Sequence, residues 1–199
     1  MDAMTLHIVQ TGDPMLRKIA RTMSVDEIRS PEVQELILEM YDTMRAAPGV
    51  GLAAPQVGVS IQLAVIEDRP DYMKNASAEQ LAAYQRSPVD FHVIINPKLT
   101  LVGDEIVDFF EGCLSVEGFA AVVSRSVRVR VECLNERAEP ITIEAEGWYA
   151  RILQHEIDHL NGKLYIDRMQ TRSFTTTENA EHHWHGRSIA EVHQELGIE

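Results

Sequence analysis

Two histidines lie four positions apart in the segment His155-Glu156-Ile157-Asp158-His159, and a glutamate directly follows the first. Residues four apart on an α-helix lie on one face, about one turn from each other, so both imidazole rings can reach a single metal ion. The glutamate can then accept a proton from a water molecule that the metal activates. The spacing therefore indicates a helical metal site for hydrolysis. The competing interpretation is a structural helix whose polar side chains are satisfied by packing and solvent.

A metal centre of this type needs a third protein ligand, and several positions are candidates. Extended zinc-peptidase motifs place a histidine six residues after the second one, where this chain has Tyr165. Thermolysin-like peptidases use a more distant glutamate; Glu178 lies downstream, but in a segment with little helical pattern. Cys113, in the segment Glu111-Gly112-Cys113-Leu114-Ser115, fits best, because a thiolate beside a glycine can approach a metal closely.

The other cysteine differs in its surroundings. Cys133 continues the apolar alternation of Val127, Val129 and Val131, so we expect it to behave as a small hydrophobic residue in a strand. Cys113 is not part of such a pattern. Two cysteines cannot form a disulfide framework, although a single Cys113–Cys133 disulfide is the alternative to a metal-binding thiolate.

Two predicted helices would position this chemistry. The metal-site helix covers about 148–160 and ends before Gly162. A second helix is predicted over 30–46, because Ser30-Pro31 is a typical helix start and apolar residues then recur at three- and four-residue steps. Shorter helices are expected at 78–84 and 188–196. Strands are predicted at 61–66, 91–96, 98–102, 106–110, 127–133 and 141–145, with a break at Pro97.

These elements predict an α+β fold in which small antiparallel or mixed sheets pack around the central HExxH helix in a single domain. We assign residues 1–170 to the catalytic domain and 171–199 to a polar C-terminal extension. The chain has 199 residues and a net charge of −13, which argues against binding to nucleic acid or to an anionic membrane surface. The first residues lack the pattern of a signal peptide, so we expect a cytoplasmic protein.

Three segments together resemble the signature motifs of peptide deformylase: GVGLAAPQ at 49–56, EGCLS at 111–115 and QHEIDHL at 154–160. The likeness extends over about 12–169. The run VEGFA at 116–120 and the pair Gly147-Trp148 are more similar to the actinobacterial and mitochondrial branch. Many other members of the family have a proline and a substrate-holding arginine in the region of VEGFA. The difference therefore concerns how an enzyme of this family would hold the substrate residues that follow the N-terminal methionine.

The resemblance implies removal of the N-formyl group from the N-terminal methionine of newly made polypeptides, with release of formate. The implied metal is Fe2+, and Zn2+, Ni2+ or Co2+ can occupy such a site. The implied partners are N-formyl-methionyl nascent peptides, with transient ribosome association as a further expectation and with no direct contact to nucleic acid or membrane.

The resemblance also assigns roles to individual residues. Cys113, His155 and His159 correspond to the metal ligands, and Glu156 corresponds to the general acid and base. Gln56 and the backbone N–H of Leu114 correspond to the groups that stabilise the oxyanion. The remaining positions correspond to substrate-binding residues: Gly49, Val50, Gly51, Phe109, Glu111, Gly112, Trp148 and Ile152.

Two other functions stay open on the sequence. A zinc endopeptidase would share the HExxH segment without needing Cys113. A non-catalytic peptide-binding relative would be expected to lack Glu156 or Gln56, and both are present.

Overall fold

The computed structural model describes residues 5–198. Residues 1–4 of the assigned catalytic domain and residue 199 of the assigned C-terminal extension lie outside it. The α-helices are α1 (Val25–Ile28), α2 (Pro31–Ala46), α3 (Ala78–Ala83), α4 (Gly147–Leu160), α5 (Thr177–Trp184) and α6 (Ile189–Leu196). The strands are β1 (Gly51–Ala53), β2 (Leu63–Asp68), β3 (Val89–Leu101), β4 (Ile106–Cys113), β5 (Val116–Ser126), β6 (Arg128–Leu134), β7 (Pro140–Glu146) and β8 (Thr175–Thr176). Short 3-10 helices cover Pro14–Arg17, Ala54–Val57, Pro70–Met73, Tyr165–Asp167 and Thr171–Ser173.

The strands form two antiparallel sheets on either side of the HExxH helix. One sheet has the order β1-β2-β3-β6-β7, and the other has the order β4-β5-β8. The apolar side chains of α4, among them Leu153 and Ile157, pack in one buried cluster with Ala64, Ile94 and Val129 of the larger sheet. The predicted α+β fold with small sheets around a central HExxH helix is therefore confirmed.

Helix α2 lies where its sequence pattern predicts it. The Ser30 hydroxyl accepts a hydrogen bond from the Val33 N–H at 3.4 Å, and Pro31 occupies the first turn. Its inward residues, Met40 and Met44 among them, are fully buried in a second cluster with Leu52 of β1. This packing supports the segment around β1 from the side opposite α4.

The predicted break at Pro97 is wrong, because β3 runs through it. The register of β3 against β6 shifts between Ile95 and Lys98, so the proline, which has no N–H, lies at an irregularity where the ladder needs no donor. Asn96 takes a positive φ of 50° there, and its side-chain amide exchanges hydrogen bonds of 2.8 and 2.9 Å with the backbone of Met23.

Strand β5 is absent from the sequence predictions. It pairs with β4 on one edge and with β8 on the other, and Ala120–Val123 in its centre are all buried. A strand that is buried on both faces lacks the polar alternation by which strands are usually found. Its pairing extends β4 as far as Cys113, three residues beyond the predicted end, and so places that cysteine at a strand end.

The C-terminal segment packs on the smaller sheet. The predicted helix at 188–196 is present as α6, and Val192 on it is buried. Helix α5 and strand β8 were not predicted. Within residues 5–198, no helix combines the length and the apolar character needed to cross a membrane.

Candidate active site

Cys113, His155 and His159 converge, as predicted. Cys113 ends β4, while both histidines lie on the inner face of α4. Their ligand atoms all lie within 4.8 Å of one another, and the Cys113 Sγ atom lies 3.3 Å from Nε2 of His159. One sulfur and two nitrogens at such distances fit a divalent metal ion that keeps an open coordination position. Among the described residues, no other group of three such ligands is found.

The disulfide alternative is wrong. Cys113 and Cys133 are both free, and Cys133 is buried in β6 as its apolar surroundings predict. Burial raises the pKa of the Cys133 thiol to about 11, so this group remains a protonated, unreactive thiol. By contrast, the Cys113 sulfur accepts hydrogen bonds from the Ser115 N–H at 3.4 Å and from the Gln56 amide at 3.6 Å.

Glu111 orients the first histidine. Its Oε2 atom lies 3.0 Å from Nδ1 of His155, which leaves Nε2 of that ring available to a metal. Arg125 donates to both carboxylate oxygens at 2.9 Å, and Arg151 donates to Oε1 at 2.6 Å. Burial alone would raise the pKa of Glu111, but the hydrogen bonds from His155 and Arg125 hold it well below its usual range. Glu111 is therefore an ionised and fixed partner of His155.

A buried ion network continues behind Glu111. The third donor group of Arg125 hydrogen-bonds to Asp158, which also accepts two bonds from Arg168 at 2.6 and 2.7 Å. Asp158 belongs to the HExxH segment, and this network fixes its side chain beside the histidines. Sequence reasoning did not find Arg125, Arg151 or Arg168. For Arg125 the only sequence signal is its place just after the apolar run AAVV, separated from it by one serine.

Burial lowers the pKa of His159, and the charges of His155 and Arg125 lower it further. His159 is only 1% exposed. A buried histidine with a depressed pKa is neutral near pH 7, which is the form that binds a metal. The surroundings of His159 thus favour the neutral imidazole that a metal ion binds.

Glu156 lies beside the ligand group and is almost completely buried. Burial raises the pKa of its carboxyl to about 7, and its Oε2 atom has no hydrogen-bond partner within the described part of the chain. A divalent cation nearby would favour the ionised form and lower that pKa. An orphaned, buried carboxylate oxygen in this position is free to take a proton from a reacting group.

The absence of a side chain at Gly51 leaves room for the carboxylate of Glu156. A Cβ atom on Gly51 would lie 2.6 Å from Cδ of Glu156, far closer than real contacts allow. The glycine in the GVG segment therefore permits the carboxylate to lie directly against β1.

Gln56 is held rigidly in the 3-10 helix that follows β1. Its Oε1 atom accepts a hydrogen bond from the Ala53 N–H at 2.8 Å. This bond turns the amide NH2 group toward Cys113 and toward the Ser115 hydroxyl, which lies at 3.3 Å. A fixed N–H donor next to the metal ligands is suited to stabilise negative charge on an oxygen.

A cleft of about 1030 Å³ opens over these groups. Of the predicted site residues, the following line it: Gly49, Val50, Gly51, Gln56, Glu111, Gly112, Cys113, Leu114, Trp148, Ile152, His155 and Glu156. His159 is buried and does not line the cleft. Phe109 does not line it either: its ring stacks on Tyr84, with the centroids 4.1 Å apart, and Tyr84 also contacts Trp148.

Sequence reasoning missed several walls of the cleft. Gln10 donates a hydrogen bond to the carbonyl oxygen of Leu114 at 2.9 Å and brings the N-terminal segment to the rim. Phe119 and Thr177 line the cleft from β5 and α5, and Arg151 lines it from α4. Phe119 lies in the run VEGFA noted above, whereas Gln10, Arg151 and Thr177 lie in none of the motif segments, and the fold alone brings them to the cleft.

An α+β fold whose central HExxH helix meets a cysteine at a strand end is typical of a class of single-metal hydrolases. Residues 5–174 match one family of this class, described as Polypeptide deformylase. The chain therefore belongs to the polypeptide deformylase family, and the resemblance noted in its three motifs is confirmed.

Individual relatives agree with this family. The chain is 48% identical over 172 residues to peptide deformylase 1A, chloroplastic, of Solanum lycopersicum, which covers 86% of this chain but only 62% of that relative's length. It is 42% identical over 197 residues to peptide deformylase 1 of Bifidobacterium longum, covering 97% of this chain and 86% of that protein. A crystal structure of a class I type b peptide deformylase from Acinetobacter baumannii with bound Met-Ala-Ser superposes with a TM-score of 0.75 at 32% identity, covering 84% of this chain and 99% of that one.

Proposed function

We propose that this chain hydrolyses the N-formyl group from the N-terminal methionine of newly made polypeptides and releases formate. The observation that carries the proposal is the convergence of the Cys113, His155 and His159 ligand atoms within 4.8 Å. The buried Glu156 and the oriented Gln56 amide next to these atoms complete the chemistry. The Acinetobacter baumannii relative was crystallised with Met-Ala-Ser, a peptide that begins with methionine as the product of this reaction would.

Cys113, His155 and His159 would hold one divalent metal ion. When bound, such an ion supplies Lewis acidity, which polarises a carbonyl oxygen and lowers the pKa of water. We propose Fe2+ as the native metal; a thiolate with two imidazoles also accepts Zn2+, Ni2+ and Co2+.

Glu156 is the proposed proton carrier. It takes a proton from the attacking water as the new C–O bond forms at the formyl carbon. It returns that proton to the nitrogen of methionine when the C–N bond breaks, so formate and a free amine leave the site. Its buried position and its unpartnered oxygen suit both steps.

The negative charge on the formyl oxygen needs fixed donors in the transition state. Gln56 Nε2 is one proposed donor, because the bond from the Ala53 N–H to Oε1 keeps it aimed at the site. The backbone N–H of Leu114, directly after the ligand Cys113, is the other. Both residues line the cleft.

The cleft walls suit an extended peptide. Gly49, Gly51 and Gly112 offer backbone without side chains, to which a strand-like substrate can add by hydrogen bonding. We assign Val50, Trp148 and Ile152 to the pocket for the methionine side chain, because an unbranched thioether is best bound by apolar surface. Phe109 and Tyr84 support this pocket from behind, since Tyr84 contacts both Phe109 and Trp148.

The partners follow from this chemistry. We propose nascent N-formyl-methionyl peptides as the substrates, transient contact with the ribosome and a cytoplasmic location. The net charge of −13 disfavours a broad electrostatic contact with nucleic acid, so ribosome contact would be local.

The direct test is formate release from a formyl-methionyl peptide by anaerobically prepared, iron-loaded protein, with metal content measured on the same sample. We expect stoichiometric release of formate and of a free N-terminal methionine. No formate from fully metal-loaded protein would refute the proposal.

A further inference from the structure

Two aromatic rings stack on the surface at the edge of the cleft. The rings of Phe119 and Phe174 lie with centroids 5.0 Å apart and an interplanar angle of 9°. Both remain partly open to solvent, at 39% and 43% exposure. Single exposed apolar side chains are common on proteins, whereas two stacked rings at the edge of a cleft form an apolar surface that a ligand can cover. We call these two residues the aromatic pair.

Backbone contacts fix the aromatic pair in place. Phe119 is paired with Thr176 in the β5–β8 ladder. Directly before Phe174, the buried Ser173 hydroxyl accepts a hydrogen bond from the Val122 N–H at 2.7 Å. The Gln170 N–H donates to the Val122 carbonyl oxygen at 2.8 Å. The ring of Phe174 is thus carried on a rigidly anchored segment, so a ligand would meet a preorganised surface.

The aromatic pair is continuous with the catalytic cleft. Phe119 and Thr177 line the same cleft as Cys113 and Glu156. The proposed methionine pocket is built from other elements, α4 and the segment before β1. A peptide with its formyl group at the metal ligands and its methionine in that pocket can reach Phe119 only with later residues.

We propose that the aromatic pair of Phe119 and Phe174 binds an apolar side chain of the substrate polypeptide, carried by one of the three residues after the N-terminal methionine. This inference rests on the proposed function and adds a preference for the sequence of the substrate. The C-terminal segment, through Phe174, then takes part in substrate recognition. An aromatic substrate side chain covers the exposed rings and gains stacking contacts in addition to burial of apolar area.

The test compares four peptides: formyl-Met-Ala-Ala-Ala and the three peptides in which phenylalanine replaces one alanine. For each enzyme, the measured quantity is the ratio of kcat/KM for a phenylalanine peptide to that for the alanine peptide. In the wild type we expect a ratio of about 3 to 10 at one position, as one aromatic contact would give. In Phe119→Ala and in Phe174→Ala we expect that ratio to fall to about 1 to 2.

Leu101→Ala is the matched control, because it removes an exposed apolar side chain that does not line the cleft. It should keep the wild-type ratio. The inference is overturned if the wild-type ratio is near one at all three positions, or if either phenylalanine variant keeps the wild-type ratio. Absence of formate from all four peptides would refute the proposed function instead, so the two failures are distinguishable.

Discussion

Oε2 of Glu111 accepts a hydrogen bond from the Nδ1 side of His155 over 3.0 Å, and this contact determines which nitrogen of His155 is available to a metal. Glu111 also lines the cleft, so one side chain joins the metal centre to the substrate site. Because two arginines hold Glu111, the orientation of His155 is set by the buried network as well as by α4.

Glu111→Gln should weaken metal binding. The variant removes the negative charge that fixes the tautomer of His155, and losses of such partners cost about 10- to 100-fold in metal affinity. Affinity is measured by competition with a chelator. Glu132→Gln, an exposed glutamate on β6, is the control and should behave like the wild type. An affinity of Glu111→Gln within twofold of that control would contradict the assigned role.

Arg125→Ala should destabilise the fold strongly. It leaves the carboxylates of Glu111 and Asp158 buried without their shared partner, and breaking a buried ion pair costs about 3 to 5 kcal/mol. Denaturant unfolding measures the change. The exposed pair of Arg130 and Glu144 provides the comparison, because Arg130→Ala should cost about 1 kcal/mol or less. Equal losses in the two variants would show that the network is not stabilising.

Gly51→Ala should lower activity without removing the metal. The added Cβ would lie 2.6 Å from Cδ of Glu156 and must displace the carboxylate. A displacement of about 1 Å can cost about 100-fold in rate, so we expect a fall of that order in kcat/KM. Gly186→Ala is the control for strain alone: no atom lies within 4 Å of its Cβ position and the residue does not line the cleft, so the strain at its φ of 76° should lower stability without changing kcat/KM. Wild-type kcat/KM in Gly51→Ala would show that the close approach is unimportant.

Air should inactivate the protein if iron is the native metal. A thiolate ligand and a ferrous ion are both open to oxidation, so anaerobic purification should preserve more specific activity than aerobic purification. The comparison uses paired preparations with metal content measured on each. Equal specific activity at equal metal content would refute the assignment of iron.

The sequence predicts the centre of the site better than its surroundings. The HExxH spacing on an amphipathic helix identifies the two candidate histidine ligands locally. Cys113, on a distant strand, is a candidate because it lies outside any apolar pattern. Arg125 could be noticed only as a charge that closely follows an apolar run. Its partners Glu111 and Asp158 lie 14 and 33 positions away, and no local pattern encodes such a pairing.

The secondary structure likewise divides into elements that local sequence patterns predict and elements that depend on long-range packing. Helices α2 and α4 follow from the helical period of their apolar residues and from their end signals, and strands β6 and β7 follow from alternation. Strand β5 is buried on both faces, so it lacks that alternation. Phe119 and Phe174, 55 positions apart, meet because β5 pairs with β8 and because the segment before Phe174 is hydrogen-bonded to Val122. No local sequence pattern predicts this contact.

The central claim is that Cys113 holds the metal and Glu156 performs the chemistry, and one parallel measurement tests it. Formate release and metal content are determined together for the wild type, Glu156→Ala and Cys113→Ser. The account predicts that Glu156→Ala keeps its metal and loses about 100-fold or more of kcat, whereas Cys113→Ser loses both metal and turnover. Full metal content with wild-type formate release in Cys113→Ser, or wild-type turnover in Glu156→Ala, would contradict it.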